Sequence, residues 1–372
     1  MIWIITTQTM HLQLLLLAAL AATAGALPQQ HAVNSSRPGP AFPITWPCAA
    51  PEPPEPAASV HALRPGNIQV VAALGDSITT GTFAKSETLL QLGEDKGVSW
   101  LIGGDETVET VFTVANALKR FNPDVVGAST GQGNSNPQGN AAVGGAGSGN
   151  MLGQAQALRD WMIEDPKVDF ANDWKLVSLW IGGNDLCSFG TTPAQYERDL
   201  EDALQFLGTN FQRIFVNLIQ VIDVGLLYDV NDASLGCTVV RPTACGRPNS
   251  LGRPAVTAQT EGYWAATEKV AAAAEATYGS DNFTVVVQPG MVDAKETFAA
   301  GLMDTTYLSP DCFHFGVRGH QVSAVNAWRN LLQPVGLKDR KFVPVGMPGA
   351  EILCPDEGNI GPYLATEQNS KQ

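Results

Sequence analysis

The amino-acid sequence predicts an α/β protein in which helices cover both faces of a mostly parallel β-sheet. Three observations support this fold class: short apolar runs rich in β-branched residues, helix-like segments between them, and glycine-containing turns where runs end. Runs that alternate only partly are typical of strands buried on both faces of a parallel sheet. Right-handed crossovers between such strands place helices on both sides of the sheet.

Four apolar runs are predicted strands, over residues 69–74, 177–181, 214–221 and 283–287. The first run stops at Gly75, and the second stops at Gly182 and Gly183. In open parallel sheets, ligands bind at the carboxyl ends of the strands. The turns that follow these two runs are therefore predicted to lie at the functional site.

Three helices are predicted between and after the strands. Thr192, followed by Pro193 and Gln195, resembles a capping box with proline at the first helical position, and it predicts a helix running toward Gly208. The other two helices are expected over residues 258–278, which are rich in Ala and Glu, and 317–332.

The composition indicates a folded, acidic protein. Hydrophobic residues make up 44% of the 372 positions and charged residues only 16%, which excludes extensive disorder, a coiled coil and a collagen-like chain. The net charge of −14 repels phosphate backbones, so no nucleic-acid partner is expected. The length allows one or two domains, but one domain over residues 60–350 accommodates every motif.

The N-terminus predicts export from the cell. An apolar stretch over residues 12–26 ends in an Ala-Gly-Ala triplet, which is the cleavage pattern of a signal peptide covering residues 1–26. An uncleaved signal anchor is the alternative, although this stretch is short for a membrane span. We therefore expect a secreted, extracellular protein.

The segments that flank the domain agree with that location. Residues 27–59 are rich in proline and predict an extended lead-in, and residues 351–372 form a polar tail, so no transmembrane anchor is expected after signal cleavage. Asn34 and Asn282 each begin an Asn-x-Ser/Thr triplet, the acceptor pattern for N-glycosylation.

Six cysteines suit an oxidising compartment: Cys48, Cys187, Cys237, Cys245, Cys312 and Cys354. They allow 15 pairings, among which sequence cannot choose. Cys237 and Cys245 flank a short loop that they could close, and Cys48 with Cys354 could tie the ends of the domain together. Zinc binding is disfavoured because no C-x-x-C pair exists.

The turn Gly75-Asp76-Ser77 provides a candidate nucleophile. Glycine allows a tight turn, and Ser77 is expected at the start of a following helix, where backbone N–H groups are free. An exposed serine in that position can attack a carbonyl group, and its own N–H can help to bind the resulting oxyanion. The alternative is an ordinary strand-end turn in which Ser77 caps a helix.

Asp311 and His314 provide a candidate acid and base. They are three residues apart in a loop, so a single turn can bring both side chains to one side, where His314 takes the proton of Ser77 and Asp311 orients the imidazole. A packed histidine capped by Asp311 is the alternative. His320, on the next predicted helix, is interpreted as structural or solvating. The remaining histidines lie in or near the signal segment and the lead-in: His11, His31 and His61.

Two glycine-containing segments supply candidate oxyanion donors. The Gly145 N–H lies in the glycine-rich stretch 139–146, and the Asn184 amide follows Gly182 and Gly183. Such groups stabilise the negative oxygen of a tetrahedral intermediate. A phosphate-binding loop is excluded because no Gly-Lys-Ser/Thr sequence follows, and a flexible loop is the remaining alternative.

In their order and spacing, these segments resemble the GDSL or SGNH hydrolase superfamily. Ser77, Gly145, Asn184 and His314 match its four named positions, and Asp311 matches the acid of its triad. The resemblance implies a three-layer α/β/α sandwich of flavodoxin-like type, no cofactor or metal, and hydrolysis of an acyl ester through an acyl-enzyme.

A closer resemblance is to the secreted phospholipase B-type branch of this superfamily. It covers about residues 43–365, and the matching segments are 59–65, 71–77, 99–105, 181–187, 283–289, 311–315 and 328–336. It implies hydrolysis of fatty acyl esters of phospholipids and lysophospholipids at lipid surfaces. The net charge of −14 further predicts a preference for zwitterionic or neutral lipid over anionic lipid.

One departure from this branch concerns the cysteines. Animal members carry a second cysteine shortly after the one that matches Cys187, whereas residues 188–190 contain none, so a disulfide pattern cannot be carried over. Two other functions remain open: an esterase acting on a neutral lipid or polysaccharide ester, and a non-catalytic lipid-binding protein.

Overall fold

A computed structural model of the chain describes residues 38–49, 54–134 and 136–371. The predicted signal peptide, the first part of the lead-in and the Asn34 triplet lie outside these residues. Within them, four parallel strands form one sheet in the order β1-β2-β3-β4: Val70–Gly75 (β1), Lys175–Trp180 (β2), Ile214–Ile219 (β3) and Phe283–Gln288 (β4). The first residue of each strand pairs with the first residue of the next, so all four carboxyl ends lie along one edge.

These strands are the four predicted ones, with slightly shifted ends. β2 begins at Lys175 instead of residue 177, and β3 ends at Ile219 instead of residue 221. Every strand position is buried except the half-buried Val287. Burial on both faces explains why the apolar runs show little alternation.

The direction of the chain reverses at β1. Val126 forms a parallel bridge to Val70, and Asn140 forms one to Ala73, so the segment that follows β1 first lies along its outer edge. The chain then crosses to β2 on the other side and continues in that direction to β3 and β4. A reversal of this kind is a topological switch point, where binding clefts form in open sheets.

The helices of the described residues are, in chain order, Val114–Lys119 (α1), Met151–Glu164 (α2), Pro193–Asn210 (α3), Arg241–Ala244 (α4), Arg247–Ser250 (α5), Arg253–Tyr278 (α6), Ala294–Ala299 (α7) and Val317–Leu332 (α8). The three predicted helices are confirmed. The helix expected to begin at residue 258 begins earlier, because Pro254 fits the first turn of α6. None of these helices combines the length and the apolar character that crossing a membrane requires.

The N-terminus of α3 forms only half of the predicted capping box. The Thr192 side chain accepts a hydrogen bond from the Gln195 N–H at 3.2 Å. The Gln195 side chain does not return a bond to Thr192 but pairs with Arg198 and Asp199 within the helix. Thr192 therefore caps the helix alone.

Helices cover both faces of the sheet, which confirms the predicted α/β/α sandwich. The crossover helices α2, α3 and α6 pack against one another on one face. They share that face because consecutive right-handed crossovers that advance in one direction all lie on the same side. On the other face, α1 packs against α8.

The described part of the lead-in contains no helix or strand, but it packs into the core. The Trp46 ring lies 5.8 Å from that of Phe121 and 6.2 Å from that of Trp328. Ile44 is buried nearby in the same core. At the other end of the chain, the Leu364 N–H donates to the Leu63 carbonyl oxygen, so the tail also contacts the domain.

Three disulfides join the six cysteines: Cys48–Cys354, Cys187–Cys245 and Cys237–Cys312. The first confirms its prediction, whereas the predicted pairing of Cys237 with Cys245 is wrong. Residues between them are helical, in a π-helical turn over Gly236–Val240 followed by α4, and eight helical residues separate two positions by about 12 Å. A disulfide requires a much shorter Cα distance. Disulfides of this number suit an extracellular protein.

Candidate active site

The chain packs tightly where β1 ends. A Cβ added to Gly75 would lie 2.7 Å from the Trp180 carbonyl oxygen and would also collide with the Thr79 hydroxyl group. No side chain fits there, which explains the glycine that precedes Asp76 and Ser77.

The helix expected after Ser77 is not formed. Residues 77–81 make successive turns instead, and the Thr82 N–H donates to the Ser77 carbonyl oxygen at 2.9 Å. Gly81 has φ 70°, in the left-handed region, and β-branched Thr79 and Thr80 precede it. A left-handed residue ends a helical turn, and β-branched residues have a low helix propensity. Both features explain why no helix follows Ser77.

Ser77, His314 and Asp311 form a chain of hydrogen bonds at the carboxyl end of β1. The Ser77 Oγ lies 2.8 Å from His314 Nε2, and His314 Nδ1 lies 2.5 Å from Asp311 Oδ2. All three residues are buried, with Asp311 4% exposed. The structure thus brings Ser77 to the Asp311–His314 pair, although Ser77 and His314 are 237 positions apart in the sequence.

The loop that carries Asp311 and His314 is held in a compact turn. Leu308 and Phe315 form an antiparallel bridge across its base, and the Ser309 N–H donates to the His314 carbonyl oxygen at 2.8 Å. Asp311 Oδ1 accepts the backbone N–H groups of Phe313 and His314, both at 3.0 Å. These bonds fix the carboxylate in the orientation that meets the imidazole.

The electrostatic setting keeps Asp311 ionised. Burial alone raises the pKa of its carboxyl group, but attraction to His314 and three hydrogen bonds outweigh burial, so the pKa lies below its ordinary value. The ring of Phe83 stands edge-on to the imidazole of His314 at 5.4 Å, and that of Phe313 at 4.9 Å. Two aromatic rings therefore restrict the rotation of the imidazole.

The candidate oxyanion donors are the N–H groups of Ser77 and Gly145 and the side-chain amide of Asn184. Gly145 has φ 80°, a left-handed conformation that glycine adopts freely. Within the described residues, the N–H groups of Ser77 and Gly145 make no hydrogen bond. One Asn184 amide hydrogen is bound to the Ala146 carbonyl oxygen at 2.9 Å, which links Asn184 to the Gly145 loop and leaves its second amide hydrogen for a ligand.

Asp185, which the sequence analysis did not single out, holds the Gly145 loop against the Asn184 segment. Its carboxylate accepts the Ser148 N–H and the Ser148 hydroxyl group, both at 3.0 Å. Burial raises the pKa of Asp185. In the sequence, only its position directly after Asn184 indicates that Asp185 lies at this site.

Asp76 is a second buried carboxyl group, directly before Ser77 in the chain. It is 1% exposed, and its Oδ1 accepts the Ile78 N–H at 2.9 Å. Burial raises its pKa to about 7. Asp76 thus differs from Asp311, whose hydrogen bonds stabilise the ionised form.

An apolar cleft adjoins Ser77. Its lining is formed by Asp76, Ser77, Ile78, Trp180, Gly183, Asn184, Ile222, Val224, Leu227, Phe313 and Phe315. Seven of these eleven residues are apolar, so the cleft presents a mainly hydrocarbon surface next to Ser77. The residues from 222 to 227 follow β3 and carried no motif in the sequence.

The segment that contains this cleft wall, residues 221–251, is fastened by disulfides to the segments that carry Asn184 and Asp311. Cys187–Cys245 joins it to the helical turn that follows Asn184, and Cys237–Cys312 joins it to the Asp311 loop. Inside it, the buried Arg241 donates to the carbonyl oxygens of Leu227 and Val230, both at 2.6 Å.

The other histidines of the described residues lie outside the hydrogen-bond chain formed by Ser77, His314 and Asp311. His320 is 1% exposed, neither of its ring nitrogens bonds a described residue, and burial lowers its pKa to about 3. It is a neutral packing residue, so of the two predicted roles only the structural one fits. His61 bonds Thr366 at the tail.

Known proteins share this chain's sequence pattern. A family model described as GDSL-like lipase/acylhydrolase matches residues 71–325. The rat protein named "Phospholipase B1, membrane-associated" is 36% identical over 333 residues, which cover 84% of this chain and 22% of the relative. The human protein of that name is 35% identical over 334 residues, with the same coverage.

This chain therefore spans about a fifth of the length of these curated relatives, at 22%. Among solved structures, an extracellular lipase from Streptomyces rimosus is similar with a TM-score of 0.34 and 16% identity, covering 68% of this chain and 94% of that one.

Proposed function

The chain belongs to the GDSL-like lipase/acylhydrolase family, and from this premise we propose that it is a serine hydrolase that cleaves fatty acyl esters of phospholipids and lysophospholipids. The observation that carries the proposal is the hydrogen-bonded chain from Ser77 through His314 to Asp311 beside an apolar cleft. A nucleophile, a base and an orienting carboxylate in this order form a triad that can transfer an acyl group.

In the first step, the Ser77 oxygen attacks the ester carbonyl carbon. His314 Nε2, 2.8 Å away, takes the hydroxyl proton as the new carbon–oxygen bond forms. Asp311 holds the ring so that Nδ1 carries its proton toward the carboxylate and Nε2 is free to accept. The ionised Asp311 also stabilises the imidazolium that results.

The carbonyl oxygen becomes negatively charged in the tetrahedral intermediate. The unused N–H groups of Ser77 and Gly145 and the second amide hydrogen of Asn184 are the donors that stabilise it. The intermediate then collapses, the leaving alcohol takes the proton from His314, and the acyl group stays on Ser77.

Water completes the cycle. His314 removes a proton from a water molecule, which attacks the acyl-enzyme carbonyl carbon, and the free fatty acid leaves as Ser77 recovers its proton. No redox partner enters this sequence of steps. The apolar lining by Val224, Leu227 and Phe315 suits the fatty chain during both steps.

The substrate class is proposed from two observations. The cleft beside Ser77 is lined mainly by hydrocarbon side chains, and the curated relatives are named phospholipase B1. Three disulfides further support the proposal that the enzyme acts outside the cell. The exposed Asn282, in one of the two glycosylation triplets, is open to modification there.

The proposal is tested with purified wild type and Ser77→Ala on lysophosphatidylcholine and phosphatidylcholine, with fatty acid and the remaining lipid identified by mass spectrometry. We expect wild type to release fatty acid and Ser77→Ala to lose about 10³-fold or more of that turnover. A fluorophosphonate probe should label wild type at Ser77 only. Full turnover by Ser77→Ala would refute the mechanism.

The same assay separates the competing functions. Rapid hydrolysis of acetylated polysaccharide or triacylglycerol with no release of fatty acid from phospholipid would favour the other esterases. Lipid binding without any hydrolysis or probe labelling would favour a binding protein.

A further inference from the structure

Among the eleven large apolar side chains that are exposed in the described residues, five lie on segments tied to the proposed active site. Leu90 is 82% exposed, Leu92 61%, Val143 52%, Leu235 61% and Val239 42%. Scattered exposed leucines are ordinary, but several that cluster around one opening mark a binding surface. These five residues are called the apolar rim below.

Leu90 and Leu92 belong to a loop whose base touches the catalytic histidine. The loop is closed by a hydrogen bond of 2.8 Å from the Phe83 N–H to the Gly93 carbonyl oxygen. Phe83 is the residue whose ring stands against His314 at 5.4 Å. This loop therefore projects from the His314 side of the site.

Val143 lies on the side of the oxyanion donors. It precedes Gly145 by two residues, and its N–H donates to the Gly75 carbonyl oxygen at 3.2 Å. Its side chain is half exposed although its backbone is tied to the end of β1.

Leu235 and Val239 lie on the side of the Asp311 loop. Gly236 packs so closely on that loop that an added Cβ would collide with the Pro310 carbonyl oxygen. Cys237, between the two apolar residues, is bonded to Cys312. The rim thus comes from three segments, each of which is anchored beside a residue of the active site.

Two equally exposed apolar residues lie at the opposite end of the sandwich. Ile163, at the end of α2, is 51% exposed, and Leu337, beyond the end of α8, is 76% exposed. Both helices begin near the site. Met151 follows the Gly145 loop, and the Val317 N–H donates to the carbonyl oxygen of Ala84, which is next to Phe83. Helices of this length carry their other ends about 20 Å away.

From these positions we infer that the apolar rim is the surface by which the enzyme docks on a zwitterionic phospholipid aggregate. The inference rests on the proposed function, because a phospholipid hydrolase must take its substrate from an aggregate. Apolar side chains around the cleft enter the acyl region of the lipid and bring Ser77 to the ester bonds. The net charge of −14 opposes docking on anionic lipid, which leaves zwitterionic lipid as the partner.

Binding is measured by flotation with phosphatidylcholine vesicles in a Ser77→Ala background, so that no lipid is consumed. We expect Leu90→Asp/Leu92→Asp and Leu235→Asp each to weaken binding by about tenfold or more, because interfacial affinity follows the apolar area buried. Ile163→Asp and Leu337→Asp make the same kind of charge change at the far end and should bind as the parent does. Adding phosphatidylserine to the vesicles should weaken binding at low salt.

Turnover of soluble p-nitrophenyl butyrate by the Ser77-containing proteins checks that each variant is folded, and Leu90→Gln/Leu92→Gln provides an uncharged second variant. Undiminished vesicle binding by the rim variants, or an equal loss in the controls, would overturn the inference. A lower particle mass of the rim variants in light scattering would also overturn it, since the rim would then join two copies of the chain.

The proposed function fails in a different way. If the Ser77-containing protein docks through the rim but releases no fatty acid, the hydrolase proposal is wrong while the docking surface stands. If it hydrolyses micellar lysophospholipid with or without the rim, the function stands and the docking surface is wrong.

Discussion

The side-chain amide of Gln154 completes the hydrogen bonding of Gly75 at the end of β1. Its Nε2 donates to the Gly75 carbonyl oxygen and its Oε1 accepts the Gly75 N–H, both at 2.8 Å. Earlier on the same strand edge, backbone carbonyl groups accept the N–H groups of Val71 and Ala73. The Gln154 side chain therefore takes the place of a backbone partner at the end of this strand edge. It holds Gly75, which lies two positions before Ser77, in a fixed position.

Gln154→Leu should weaken catalysis although Gln154 bonds Gly75 and not the substrate. The change leaves a buried N–H and a less satisfied carbonyl group at Gly75, which costs about 1–3 kcal/mol of stability, and it frees the strand end that carries Ser77. We expect kcat on a soluble ester to fall by about 10–100-fold, with KM little changed. Steady-state kinetics and thermal melting measure the two effects.

Gln156→Leu is the matched control, since Gln156 is exposed on the same helix. It should keep both kcat and stability close to wild type. If Gln154→Leu lowers the melting temperature but leaves kcat unchanged, Gln154 supports the fold without positioning the nucleophile.

Asn184→Ala tests the oxyanion donors. The variant loses the amide hydrogen available to the substrate and the bond to Ala146 that ties Asn184 to the Gly145 loop. We expect kcat to fall by about 10²–10³-fold, the size seen when one such donor is removed. Asn210→Ala, at the exposed far end of α3, should leave kcat unchanged. An Asn184→Ala effect confined to KM would assign the residue to substrate binding instead.

The buried carboxyl group of Asp76 predicts a pH-dependent stability. Its pKa is about 7 in the folded protein and near 3.8 in the unfolded chain, so the folded state holds the proton more tightly between these values. The contribution of Asp76 to the free energy of unfolding should therefore fall as pH rises from about 4 to 7 and level off above that range. At acid pH the cost of burying a charged carboxylate is absent, because Asp76 is then neutral in both the folded and the unfolded state.

Asp76→Asn removes this contribution and keeps an oxygen that can accept the Ile78 N–H. Its stability advantage over wild type should grow by roughly 2–4 kcal/mol between pH 4 and pH 8. Denaturant titrations at several pH values measure the difference. Asp124→Asn changes an exposed carboxylate as a control, and parallel pH profiles for wild type and Asp76→Asn would contradict the expectation.

The disulfides predict two different responses to their removal. Cys187→Ala/Cys245→Ala removes one of the two disulfides that hold the segment with the cleft wall, whereas Cys48→Ala/Cys354→Ala removes the disulfide between the lead-in and the tail. Both double variants should lose about 2–4 kcal/mol of stability. Only the first should lower the ratio of long-chain to short-chain ester turnover, by about fivefold or more, because hydrocarbon contacts at the wall favour longer chains.

Assays with p-nitrophenyl decanoate and p-nitrophenyl butyrate give that ratio. A similar change in both double variants would mean that the chain-length preference depends on global stability and not on the wall.

The residues of the candidate site that lie in turns after strands could be identified from the sequence. Ser77, Asn184 and the Asp311 loop follow apolar runs or a turn, and a parallel sheet brings such ends together whatever their separation along the chain. The helix bounds of α8 and the Thr192 cap were predictable because they rest on local patterns.

Contacts between distant elements were beyond prediction. Gln154 lies on the buried face of α2, and nothing in the sequence distinguishes it from a helix residue that packs elsewhere. The cleft wall after β3 carries ordinary apolar residues. The pairing of Cys237 was missed because a short cysteine spacing suggested a loop where the chain is helical.

The pairing of the cysteines, in which Cys48–Cys354 encloses two overlapping disulfides, also determines what a protease can release. Cys48–Cys354 encloses most of the chain, so one peptide-bond cut anywhere between those residues leaves a single covalent molecule. A cut between Cys187 and Cys312 is spanned by at least two disulfides. A nicked chain therefore keeps the cleft wall covalently attached to the segments that carry Asn184 and Asp311.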